Sequence, residues 1–134
     1  MKNTPCIIEF EKIGDSSLGY ISIAEKSRNM PFEIKRSYWT YFTPNEVIRG
    51  HHAHKELSQV IVAVAGTIKF FLEDINGLKT EYVLSNPWQG LFIPPLHWRT
   101  IEFSHNAVLL CLASEEYSET DYIRDYKQFK QLSE

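Results

Sequence analysis

Ten short β-like runs follow one another along the chain, and only its end shows a helical period. The runs cover 6–13, 19–25, 34–43, 47–55, 58–66, 67–74, 79–85, 89–95, 97–104 and 107–114. Between them lie "TPNE", "DINGLK", "SNPWQG" and "SHNA", rich in residues that tolerate tight or left-handed backbone. Asn76-Gly77 is a hairpin signal joining "TIKFFLED" to "KTEYVLS". Parallel strands need crossover connections of a dozen or more residues, usually helical, and none is supplied here. The pattern therefore predicts an all-β fold, an antiparallel barrel or jelly roll.

The end differs. "SETDYIRDYKQFKQL" places Tyr122, Ile123, Tyr126, Phe129 and Leu132 at helical spacing, with Ser118 or Thr120 as caps and acids in the first turn. One C-terminal α-helix laid against the barrel is expected. No repeat, linker or low-complexity tract divides the chain, so residues 1–134 read as a single domain.

Composition excludes some functions. The net charge is −3 and no block of Lys or Arg stands out, which argues against a nucleic-acid partner. A small anionic ligand stays open, since one or two placed arginines suffice for it. "MKNTPCIIEFEKIGD" lacks the apolar core of a signal peptide and nothing approaches a membrane-spanning length, so a cytoplasmic protein with no membrane partner is expected. Cys6 and Cys111 lie far apart inside apolar runs and read as buried thiols; no Cys-x-x-Cys pattern points to structural zinc.

The chemistry concentrates in "RGHHAHKELSQVIVAVAG", which holds three of the five histidines. On a strand alternate side chains share a face, so His52 and His54 form a pair and His51 points away. Metal-binding cupins carry such a pair in the frame H-x-H, three or four residues, Glu, six residues, Gly. Here Gln59 stands where the glutamate would be, and Arg99 stands where the third histidine is wanted. Gln is a poor substitute for a carboxylate, and a guanidinium repels a cation. A metal is therefore not expected. His97 shares the strand parity of Arg99, which keeps open a metal-dependent enzyme using His52, His54 and His97. Without a metal, two neutral imidazoles on one face are candidate acid–base groups near neutral pH. Arg36, Tyr38 and Thr40 share one parity on their run, and Arg49 precedes the histidines. Arginines aimed into a barrel mouth are costly unpaired, which an anionic ligand such as a diphosphate would offset. Trp39, Trp88 and Trp98 offer flat surfaces for a base or sugar to stack on.

"IKRSYWTYFTPNEVIRGHHAHKELSQVIVAVAG", "GLFIPPLHW" and "SEEYSETDYIRDYKQF" together resemble the sugar 3,4-ketoisomerases, the WxcM-like cupins, over essentially the whole chain. The Arg49–Lys55 segment and the D-Y-I-R-x-Y-x-x-F ending, Asp121 to Phe129, are the most specific parts of the resemblance. It implies a cupin-type jelly-roll barrel. It also implies an isomerase that moves the carbonyl of dTDP-4-keto-6-deoxyglucose from C4 to C3 through an enediol, without redox cofactor or metal. The product feeds 3-amino-3,6-dideoxyhexoses of surface polysaccharides such as O-antigen lipopolysaccharide. By the same resemblance His54 is the essential base and His52 its partner, with Tyr38 on the sugar. Arg36 and Arg49 would hold the nucleotide diphosphate, and Arg99, Gln59 and Trp98 would border the substrate. A homodimer with "CIIEFEKI" exchanged across the interface is expected. A nucleotide-sugar-binding cupin without catalysis is the alternative from another class.

Overall fold

The computed structural model describes residues 3–133. Strands form where the turn residues bound the apolar runs: β1 (Cys6–Glu9), β2 (Ile13–Asp15), β3 (Gly19–Ile21), β4 (Arg36–Tyr41), β5 (Ile48–His54) and β6 (Gln59–Ala65). They continue with β7 (Ile68–Asp74), β8 (Lys79–Leu84), β9 (Gln89–Ile93), β10 (His97–Phe103), β11 (Val108–Ala113) and β12 (Tyr122–Ile123), before the helix α1 (Tyr126–Gln131). Two five-stranded sheets result, in the orders β1-β9-β6-β11-β4 and β12-β5-β10-β7-β8, while β2 and β3 form a separate ribbon. Every pairing is antiparallel. This is the jelly-roll arrangement the spacing of the runs predicts. The Asn76-Gly77 hairpin joins β7 to β8, with Asp74 Oδ1 accepting from the amides of Asn76 and Leu78, both at 2.9 Å.

Why β6 is apolar without alternation from Val60 to Ala63 follows from its place. Ile61 and Ala63 face inward onto Phe70, Leu72, Leu91 and Ile93, while Val60 and Val62 face outward onto Phe10, Met30, Phe32 and Phe92. Both faces are covered, so alternation disappears from the sequence. Each large apolar side chain fully buried there contributes about 1.5–3 kcal/mol.

Strand β5 is irregular at the point that matters. Gly50 and His51 both have positive φ, +92° and +58°, and the β5–β10 register shifts between Arg99 and Thr100. Arg99 faces His52 while Thr100 faces Gly50, so His51 is the extra residue of a β-bulge. Strict alternation would put Arg49 and His52, three apart, on opposite faces. The bulge brings both to the same side.

The C-terminal segment corrects the expectation of one helix beginning near Ser118 or Thr120. A 3₁₀ turn spans Glu119–Asp121, Tyr122–Ile123 pairs with His54–Ala53 as a strand, and only Tyr126–Gln131 is helical. Asp125 caps this helix, accepting from the Lys127 amide at 2.9 Å. The open edge of β5 offers Tyr122 and Ile123 backbone partners, and an aromatic followed by a β-branched residue suits a strand. Helix α1 then buries Phe129 against Ala53 and Ile123. Its outer side is fastened by Glu73, which accepts from Lys130 Nζ at 2.6 Å and from the Tyr126 hydroxyl at 2.8 Å. Among the described residues no helix is long and apolar enough to cross a membrane.

Candidate active site

A cavity of about 410 Å³ opens between the sheets, and β4, β5, β6, β10 and the segment after β11 all send side chains into it. Strand parity supplies Arg36, Tyr38 and Thr40 from β4, and the bulge supplies Arg49 and His52 from β5. Gln59 and Arg99 come from the two sheets and meet inside. Four arginines line this cavity (Arg36, Arg49, Arg99 and Arg124), and no carboxylate is among its lining residues. A pocket of that size and sign suits a compact polyanion.

Gln59 and Arg99 occupy the two positions where the metal frame has lost its ligands, and they are hydrogen-bonded to each other. Arg99 donates through one terminal nitrogen to Gln59 Oε1 and through the other to the His97 carbonyl, at 3.1 Å in the second case. The Gln59 amide in turn donates to the Tyr38 hydroxyl at 3.1 Å and to Cys111 Sγ at 3.2 Å. Arg99 is only 2% exposed, and its Nε has no partner among the described residues. Burial lowers its pKa, yet a guanidinium stays cationic. The site therefore holds a buried positive charge whose hydrogen-bond partners, Gln59 and the His97 carbonyl, are neutral. Burial also pushes the Tyr38 hydroxyl above the ordinary phenol range, so it stays protonated.

The two imidazoles are neutral. Burial, reinforced by Arg99, lowers His52 to about 4 and His54 to about 2. His52 Nδ1 lies 3.1 Å from the Gly50 carbonyl, which can only accept, so the proton of the neutral ring sits on Nδ1. His54 Nδ1 lies 3.2 Å from Asp121 Oδ2. Neither Nε2 has a hydrogen-bond partner among the described residues. The rings stand edge to face with centroids 4.9 Å apart, and the Tyr122 ring touches both. His52 lines the open cavity; His54, 1% exposed, sits one layer behind it.

Two sequence expectations need correction. Trp98 is absent from the cavity lining: one position before Arg99 on β10, it faces the other way and packs against Tyr126 and Phe129, with ring centroids at 5.3 and 5.8 Å. Trp39 is exposed on the outer face of β4, and Trp88 lies under Lys12 Nζ at 4.1 Å. His97 also stays outside the cavity lining, its Nδ1 being 2.9 Å from the Pro95 carbonyl. Among the described residues no three His, Cys, Asp or Glu side chains group as a metal site would require. Arg99, bonded to Gln59, fills the place between the histidines and the opposite sheet.

Reading 118–132 as one helix also missed Tyr122 and Arg124, which with Tyr117 close one wall of the cavity. Arg124 is held by Glu119 in a two-pronged pair at 2.7 and 3.0 Å and lies 4.0 Å above the Tyr122 ring. The alternation of Tyr122 and Arg124 within the D-Y-I-R motif was the available signal.

Comparison with known proteins agrees with this architecture. The family described as "FdtA: WxcM-like, C-terminal" matches residues 3–134. A TDP-4-oxo-6-deoxy-alpha-D-glucose-3,4-oxoisomerase from Aneurinibacillus thermoaerophilus is 43% identical over 125 residues, covering 92% of this chain and 88% of that one. The crystal structure of an H51N mutant of the 3,4-ketoisomerase QdtA from Thermoanaerobacterium thermosaccharolyticum, in complex with TDP-4-keto-6-deoxyglucose, superposes with a TM-score of 0.92 at 36% identity, covering 99% of this chain and 96% of that one. The WlaRB TDP-quinovose 3,4-ketoisomerase from Campylobacter jejuni gives 0.89 at 36% identity, with coverages of 98% and 99%. Matched across residues 3–134 and sharing the barrel of these isomerases, the chain belongs to the FdtA, WxcM-like family.

Proposed function

We propose that the protein is a sugar-nucleotide 3,4-ketoisomerase that converts TDP-4-keto-6-deoxyglucose to its 3-keto isomer. One observation carries the mechanism: a buried Arg99 guanidinium shares a cavity with the neutral imidazole of His52, the neutral His54 ring packs edge to face behind it, and neither Nε2 has a hydrogen-bond partner among the described residues. Moving a carbonyl by one carbon needs a base for the proton on C3, and His52 and His54 supply it. As the C3–H bond breaks, its electron pair forms the C3–C4 double bond and negative charge gathers on O4. Arg99 faces that charge, in a setting where a fixed cation is worth more than in water. The O3 proton passes to O4, and the imidazolium returns its proton to C4 as the C3 carbonyl forms. Nothing is oxidised or reduced overall. Tyr38, kept protonated and oriented by Gln59, hydrogen-bonds a sugar oxygen. Arg36, Arg49 and Arg124 hold the diphosphate at the cavity mouth.

The same reading places the enzyme in the cytoplasm, as one catalytic domain over residues 1–134, on the route to 3-amino-3,6-dideoxyhexoses of O-antigen lipopolysaccharide. It also makes the protein a homodimer in which β1 crosses to the β9 of the partner subunit. Two features support exchange: β1 is a four-residue edge strand that, among the described residues, pairs with β9 alone, and the β2–β3 ribbon after it is exposed along its length. Light scattering of the purified protein should give twice the chain mass.

Incubation with TDP-4-keto-6-deoxyglucose in deuterated water, followed by NMR, tests the activity. A new C3 carbonyl is expected, with deuterium at C4 to the extent that the imidazolium proton exchanges with solvent before delivery. Ligand shifts without exchange would mark a binding protein, and exchange with the carbonyl left at C4 would mark an epimerase.

A further inference from the structure

The Asp121 carboxylate is not part of the cavity lining, yet three hydrogen bonds converge on it. Its Oδ1 accepts from the Glu56 amide at 2.8 Å, and its Oδ2 accepts from the Leu57 amide at 3.4 Å while lying 3.2 Å from His54 Nδ1. The segment is locked in register: Tyr122 pairs with His54, Ile123 pairs with Ala53, and the Lys55 amide donates to the Asp121 carbonyl at 2.9 Å. A structural anchor for the turn after β5 would need only the two amides. The contact to His54 is additional.

We propose that Asp121 is a positioning residue for proton transfer, holding His54 in the tautomer whose Nε2 lone pair is the base. The inference rests on the isomerase reading and deepens it. An ionised carboxylate only accepts, so the contact obliges Nδ1 to carry the proton of the neutral ring and leaves Nε2 as an acceptor. The Tyr122 ring, 4.4 Å from that of His54 and on the residue next to Asp121, fixes the plane. During turnover the proton from C3 bonds to Nε2 and the C–H electron pair stays with the sugar as the enediolate. His54 is then briefly an imidazolium near Arg99. The Asp121 carboxylate, on its far side, offsets that repulsion until the proton is delivered to C4.

Asp121→Asn tests this with little change of shape. Oδ1 of the new side chain keeps the Glu56 amide, which places the NH₂ group against His54 Nδ1. A donor there forces the proton to Nε2 and removes the base. Turnover should fall by about 10²–10⁴-fold, the range for losing a general base or its orienting carboxylate. KM and the TDP dissociation constant should stay within about twofold, as neither depends on the tautomer. Independently, ¹⁵N-histidine NMR of the wild-type protein should show His54 protonated on Nδ1 and bare on Nε2. In the variant the assignment should reverse. Wild-type His54 protonated on Nε2, or a folded variant within threefold of wild-type turnover, would overturn the role. Should Asp121→Asn not fold, the wild-type tautomer decides alone. A wild type that binds TDP but forms no 3-keto sugar would instead overturn the isomerase reading, and the tautomer would still judge Asp121.

Discussion

Replacing Gly50 by alanine should damage both stability and catalysis, because the bulge that aligns the site depends on the missing side chain. Gly50 sits at φ +92°, and a Cβ there would lie 2.8 Å from the Arg99 carbonyl oxygen and 3.3 Å from both Arg99 C and Cγ. The backbone conformation alone costs an L-residue about 1–2 kcal/mol. The near contact is with main chain of a paired strand, which cannot swing aside, and forced overpacking of this kind adds roughly 1–3 kcal/mol. The total is about 2–5 kcal/mol. A cheaper escape is to abandon the bulge, but a slip of one residue turns His52 away from the cavity or Arg49 out of it. Gly77→Ala is the control. Gly77 has φ +86°, yet its Cβ would meet only the flexible Lys130 Nζ at 3.6 Å, so the backbone cost of about 1–2 kcal/mol stands alone. Urea unfolding, isomerase turnover and TDP titration on both variants decide the matter. Gly50→Ala should lose more stability than Gly77→Ala, and only Gly50→Ala should lose activity and TDP affinity together. Equal stability losses with normal turnover in both would refute the idea that the bulge sets the site.

Arg49→Ala should weaken TDP binding about 10- to 100-fold by calorimetry, as expected for losing hydrogen bonds to a charged group, with kcat little changed; a normal dissociation constant would make Arg49 structural. Arg99→Met should lower turnover by about 10²–10³-fold. It should also raise the pKa values of His52 and His54 in an NMR titration, since a neighbouring cation that opposes their protonation is gone; unmoved values would contradict its placement. The pH dependence follows from the same depressed pKa values. Burial holds His52 at about 4 against an ordinary 6.5, so the unfolded chain binds more protons between those pH values. Stability should be full above pH 6.5 and fall as pH drops toward 4, and kcat/KM should show no inflection at 6.5; a histidine limb at 6.5 would contradict the burial of the pair.

Much of this was readable in the chain because period-2 alternation carries its own geometry. The ten runs became strands, and Arg36, Tyr38 and Thr40 reached the cavity together because β4 is regular. His52 and His54 share a side for the same reason. The failures fall where regularity breaks. Alternation could not reveal the bulge, which depends on the positive φ of Gly50 and His51, so the shared side of Arg49 and His52 was hidden. Tyr122 and Ile123 fit a helical period equally well, and their strand pairing depends on the free edge of β5, a tertiary fact. Trp98 reads as a substrate contact by residue type, yet its parity opposes that of Arg99 and turns it to the other face of β10. Gln59 and Arg99 read separately as two lost metal ligands, while their mutual hydrogen bond is visible only across the two sheets.

The central claim is that the histidines of an eroded metal frame carry protons rather than a metal. His54→Asn keeps a side chain of similar reach without a base, and leaves Arg36, Arg49 and Arg124, the groups proposed for the diphosphate, in place. Turnover of TDP-4-keto-6-deoxyglucose by the folded variant should vanish while TDP binds with nearly the wild-type dissociation constant. Wild-type turnover in that variant would contradict the account.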